Sequence, residues 1–109
     1  MEHLISSIKT LKEKGRIQQE INYQNILVVY SNDKVYAIMD KCPHRGVTLA
    51  NGTIENDVIK CKDHGLGISL ETGDVLSQRQ IDFLRLDKYS RNVKTYETIV
   101  KDGNVYVVM

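Results

Sequence analysis

The 109 residues are enough for one ordinary domain, and 41% hydrophobic with 27% charged residues is close to globular averages, which excludes wholesale disorder. Fifteen Lys and Arg against fourteen Asp and Glu leave a net charge of +1, without the basic excess of a dedicated nucleic-acid binder. The longest apolar run, Ile26 to Tyr30, is far too short for a membrane span. The start, Met1 to Ser7, has neither a basic n-region nor a long apolar stretch, so the reading is no signal peptide, no anchor, no membrane and a cytoplasmic location.

Along the chain, Ile5, Ile8 and Leu11 ahead of Gly15 predict one or two turns of helix, with a strand through Leu4 and Ile5 before it. Arg16 to Ile21 reads as an edge strand, with Ile17, Gln19 and Ile21 on one face. Ile26–Tyr30 and Val35–Met39 flank Ser31-Asn32-Asp33-Lys34 as a hairpin, and Thr53–Glu55 and Val58–Lys60 flank Asn56-Asp57 as a second. Ile68–Leu70 and Val75–Leu76 form a third around Glu71-Thr72-Gly73-Asp74. Lys94–Val100 and Asn104–Met109 form a fourth around Asp102-Gly103. Residues 77–93 show no clear period. There is no repeat or linker, so residues 1–109 are read as a single domain, an all-β sandwich or small barrel.

Both cysteines and two of the three histidines fall in two short clusters, Cys42-Pro43-His44-Arg45-Gly46 and Cys61-Lys62-Asp63-His64-Gly65, with sixteen residues between His44 and Cys61. Each cluster follows a predicted strand and holds chain-turning residues, so two loops each offer one thiolate and one imidazole. That is a four-ligand metal site in outline. Zinc or a lone iron suits the same donors, although zinc fingers place their cysteines together and their histidines on a helix. The remaining reading is a cysteine pair with two incidental histidines.

These two clusters resemble the C-x-H…C-x-x-H motif of Rieske-type [2Fe-2S] ferredoxins, and the resemblance runs through Val35–Asp40, Asn51-Gly52-Thr53-Ile54 and Leu70-Glu71-Thr72-Gly73-Asp74. It implies a Rieske-like small antiparallel β-sandwich or barrel with a two-loop cluster-binding subdomain and a short N-terminal helix. It also implies one [2Fe-2S] cluster, with Cys42 and Cys61 on the inner iron and His44 and His64 on the outer one. The formal charges of two ferric ions, two sulfides and two thiolates cancel, so an added electron meets less repulsion than in an all-cysteine cluster. Respiratory members of the family carry a further disulfide across the loops, for which no cysteine remains here. They also have Ser and Tyr hydroxyls directed at the cluster sulfurs, where this chain has Leu66 and Ile68. The resemblance is therefore to the low-potential soluble group, typified by ferredoxins of bacterial ring-hydroxylating dioxygenases. Lys62-Asp63 departs from the family's usual Pro-Trp or Pro-Phe, and Ser77-Gln78-Arg79-Gln80 is polar where many members have a proline-rich loop.

The implied function is electron transfer, from a flavin-containing reductase to a terminal oxygenase, rather than catalysis. An oxygenase iron needs two further histidines and a carboxylate, and only His3 is left. The alternatives are a Rieske-like small subunit of a reductase complex, as in assimilatory nitrite reductase, and a zinc-stabilised binding module. His3 reads as a solvated terminal residue. Lys41, Arg45, Lys60 and Lys62 are balanced by Asp40, Glu55, Asp57 and Asp63, the pattern of a solvated surface.

Overall fold

The computed structural model describes residues 1–41, 48–61, 67–75 and 93–109. β1 (Glu2–Ser7) leads directly into α1 (Ile8–Lys14). Ser7 Oγ accepts from the Thr10 N–H at 3.1 Å and caps the helix, while Lys12 and Lys14 sit in its last turn, where the helix dipole favours cations. Gly15 stops it at φ +79°, a left-handed conformation that lets its N–H reach the Leu11 carbonyl at 2.7 Å. Both the short helix and the strand before it follow the sequence expectation.

The strands that follow are β2 (Arg16–Ile21), β3 (Gln24–Ser31), β4 (Lys34–Met39), β5 (Thr53–Glu55), β6 (Val58–Lys60), β7 (Gly67–Ser69), β8 (Thr95–Lys101) and β9 (Asn104–Val108). Among the described residues, four hairpin turns have positive φ at both central residues, as two-residue primed turns require: Asn22-Tyr23, Asn32-Asp33, Asn56-Asp57 and Asp102-Gly103. Three of the four were legible from their Asn, Asp and Gly content. The β2–β3 turn was not, because Tyr23 is an unusual occupant of φ +66°, and it stands 98% exposed. The third hairpin is reduced to an isolated bridge, Ile68 to Val75, and Leu76 with the aperiodic stretch through 92 lies outside the described residues.

The strands form a six-stranded antiparallel sheet in the order β1-β9-β8-β4-β3-β2 and a three-stranded sheet β5-β6-β7. β2 is an edge strand, as its pattern predicts. Ile26, Leu27, Val28 and Val29 on β3 are all fully buried because both faces of that strand are covered. Leu27 and Val29 point with Ile38 into a core shared with Leu49, Ile59, Cys61, Ile68, Leu70 and Val93. Ile26 and Val28 point the other way, packing with Leu11, Ile21, Ala37, Val105 and Val107. The first of these cores joins the large sheet to the small one. The architecture is the expected small antiparallel β-sandwich or barrel with a short helix. Among the described residues no helix is long and apolar enough to cross a membrane.

The β5–β6 turn faces the β3–β4 turn through Asp57, whose Oδ1 is buried without a hydrogen-bond partner. Hydrogen bonding from Ser31 holds the Asp57 carboxyl below its ordinary pKa, against a smaller opposing effect of burial, with Asn32, Tyr36 and the Lys34 charge adding to the lowering. Burial, followed by the Asp57 charge, raises the Tyr36 pKa. A carboxyl whose folded-state pKa is depressed contributes stability above its unfolded pKa and loses it as pH falls through the folded value. Asp57→Asn should therefore lower the unfolding midpoint at neutral pH and converge on the wild type in acid. Thermal melts at pH 7 and below pH 3 check this, and a constant gap at both values would contradict it.

His3 corrects an expectation. It is half-buried on β1 opposite Val107, and its Nε2 is buried with no hydrogen-bond partner.

Candidate metal centre

Of the four sequence-predicted ligands, the described residues include Cys61; Cys42, His44 and His64 lie outside them. Cys61 follows β6 directly. It carries a free thiol, 2% exposed, in the core between the two sheets. The second cluster fills the connection from β6 to β7, and the antiparallel pair Lys60–Gly67 closes that connection at its base. Ile68 is fully buried on β7, so its position presents an aliphatic side chain and no hydroxyl.

The first cluster begins two residues after Asp40. The charge balance around the motif predicts a solvated Asp40, whereas the structure buries it to 6% exposure. Its carboxylate is a hub. Thr48 Oγ1 donates to both oxygens at 2.8 Å, the N–H groups of Leu49 and Ala50 donate to Oδ1 at 2.7 and 3.0 Å, and Gln18 Nε2 donates to Oδ2. The Asp40 N–H donates to the Asn25 carbonyl at 2.8 Å. A buried carboxylate without such donors would be strongly unfavourable, so this one binds the residues before position 42 to those after position 47.

Arg16 adds a second tie from β2. Its Nη1 donates to the Ala50 carbonyl at 2.8 Å and to the Gly52 carbonyl at 2.5 Å. Gly52 lies against β6, the strand that ends one residue before Cys61. A Cβ there would come within 2.4 Å of the Lys60 carbonyl oxygen, so only glycine permits the approach. The exit of the first cluster is thus docked on the residue before the second. None of Asp40, Gln18, Thr48 and Arg16 was singled out as functional in the sequence, because their partners lie up to 36 residues away.

These features fit an iron–sulfur cluster. Cys61 lies among aliphatic side chains, where a metal-bound thiolate has its charge balanced by the metal rather than by water. The spacing Cys-x-His with Cys-x-x-His adds one thiolate and two neutral nitrogens, a set of soft and borderline donors suited to iron.

Comparison with known proteins agrees. A family model described as the Rieske [2Fe-2S] domain matches residues 2–97. The chain is 26% identical over 106 residues to the 3-phenylpropionate/cinnamic acid dioxygenase ferredoxin subunit of Photorhabdus laumondii, covering 96% of this chain and 91% of that protein. It is 34% identical over 82 residues to ferredoxin CarAc of Metapseudomonas resinovorans, covering 74% of this chain and 68% of that one. The ferredoxin of carbazole 1,9a-dioxygenase from Nocardioides aromaticivorans IC177 shares the fold, with a TM-score of 0.81 at 20% identity over 99% of this chain and 97% of that one. Human apoptosis-inducing factor 3 matches at 26% over 107 residues, and there the chain spans 16% of the longer protein's length. The chain belongs to the Rieske [2Fe-2S] domain family, whose cofactor is one [2Fe-2S] cluster of the Rieske type.

Proposed function

We propose that residues 1–109 act as one electron-carrying domain in which Cys42, His44, Cys61 and His64 hold the cluster, the two cysteines on one iron and the two histidines on the other. The observation that carries this reading is the buried Cys61 thiol, standing at the end of β6 against the docked exit of the first cluster. When bound, the cluster accepts and returns one electron. The chain itself encloses the thiolate in apolar side chains, closes the two ligand segments at their bases and offers no hydroxyl at position 68.

The electron passes from a flavin-containing reductase to a terminal oxygenase. Support for the oxygenase comes from the ferredoxin subunits that the chain matches over most of their length. The free Cys61 thiol and a reducible cluster suit the cytoplasm, where disulfides are rare. A second reading is a component bound within a larger assembly such as a nitrite-reductase-like complex; the human match, in which the similar stretch is part of a far longer chain, favours a bound domain over a diffusing carrier. Co-purification with a large flavo- or haem-protein would favour that reading. Reductive titration of the purified protein tests the carrier itself: a red-brown solution taking up one electron per chain is expected. A colourless protein containing zinc would contradict it.

The side chains near the second cluster bear on the potential. Rieske potentials run from about −150 to +300 mV, and this chain belongs toward the negative end because Leu66 and Ile68 take the sequence positions at which the resemblance implies hydroxyl donors in high-potential members. A hydrogen bond to a charged group contributes ~1.5 kcal/mol, equivalent to roughly 65 mV for one electron. Leu66→Ser should therefore raise the potential by tens of millivolts above Leu66→Ala, which opens the same space without a donor. Equal potentials in the two variants would assign the effect to solvent access instead.

A further inference from the structure

We infer that Gln18, Asp40 and Thr48 form a clasp that positions the first ligand segment, so that edge strand β2 controls how firmly the cluster is held. The inference rests on the ligand assignment above. Asp40 precedes Cys42 by two residues, and Thr48 follows His44 by four. The Asp40 carboxylate takes hydrogen bonds from Thr48 and from the two backbone N–H groups after it, which brings the two ends of the segment to one point. Gln18 supplies the remaining donor from a strand twenty-two residues away. Its Nε2 also lies 3.3 Å from Thr48 Oγ1, so the amide reaches both ends of the clasp.

The location of Gln18 separates this role from general stability. Gln18 is solvent-exposed on β2 and belongs to neither apolar core, so its side chain can be shortened without opening a cavity. A residue that served the fold alone would register in the melting of the cluster-free protein. A positioning residue registers in cluster retention and in the sharpness of the cluster's spectrum, because a loosened ligand segment samples several geometries.

The test uses the full chain carrying its cluster, at a temperature where every variant is folded by circular dichroism. The variants are Gln18→Ala, Thr48→Val and, as a control in the other core, Val107→Ala, whose parent side chain is fully buried. Bleaching of the visible absorption in excess iron chelator gives the rate of cluster loss, and electron paramagnetic resonance of the reduced protein gives the line widths. Gln18→Ala and Thr48→Val should lose the cluster about tenfold faster than wild type, the factor that one hydrogen bond to a charged group supplies, and should show broadened lines. Val107→Ala should lose thermal stability yet bleach at the wild-type rate with unchanged lines. Wild-type rates in both clasp variants, or equal acceleration in Val107→Ala, would overturn the clasp while leaving the ligand assignment standing. A wild-type protein with no Rieske resonance would overturn the ligand assignment and the clasp with it.

Discussion

Cys61→Ser should yield a folded, colourless protein with no bound iron or sulfide. Serine offers a hard, weakly acidic oxygen where iron–sulfur chemistry needs a soft thiolate. The site cannot compensate, because Cys61 is 2% exposed and surrounded by Leu49, Ile59, Ile68 and other apolar side chains. A buried hydroxyl without a partner costs about 1–3 kcal/mol, and loss of the metal removes the stability that binding lends to the fold. The variant should therefore also melt below the wild type. Iron and acid-labile sulfide analysis beside the visible spectrum checks this, and full cluster content in Cys61→Ser would remove Cys61 from the ligand set.

Leu49→Ala should produce the largest loss of stability among single side-chain truncations near the centre. Leu49 is fully buried in the core that joins the two sheets, and its N–H donates to Asp40 at 2.7 Å. Truncating such a leucine costs about 2–5 kcal/mol, a large part of the roughly 5–15 kcal/mol that holds a domain of this size folded. The cavity would open beside Cys61 and beneath the clasp, so cluster retention should fall together with stability. In urea the midpoint should drop with an unchanged slope. A loss below about 1 kcal/mol would mean that the two sheets are not held together through this core.

The sequence made three of the hairpins and the family motif readable because both are local. Asn32-Asp33, Asn56-Asp57 and Asp102-Gly103 announce their turns through residues that tolerate positive φ. Two thiols and two imidazoles at close spacing announce metal chemistry without any tertiary information. The Asn22-Tyr23 turn carried no such signal, since nothing about tyrosine favours φ +66°. The Asp40 hub was equally hidden. Its acceptors meet donors from residues 18, 48, 49 and 50, and only the pairing of β2 with β3 and β3 with β4 brings Gln18 within reach. A charge that looks balanced in the sequence is, in the fold, a buried tie. His3 follows the same rule, because the strand pairing of β1 with β9 sets its burial rather than its position near the terminus.

The most direct test of the central claim, that Cys42, His44, Cys61 and His64 hold one cluster, is pulsed electron paramagnetic resonance of the dithionite-reduced protein with nitrogen-15 histidine. The expected result is a Rieske-type spectrum with hyperfine couplings from two histidine nitrogens, one lost in His44→Ala and the other in His64→Ala. A silent sample, a spectrum without histidine couplings, or couplings that survive both substitutions would contradict it.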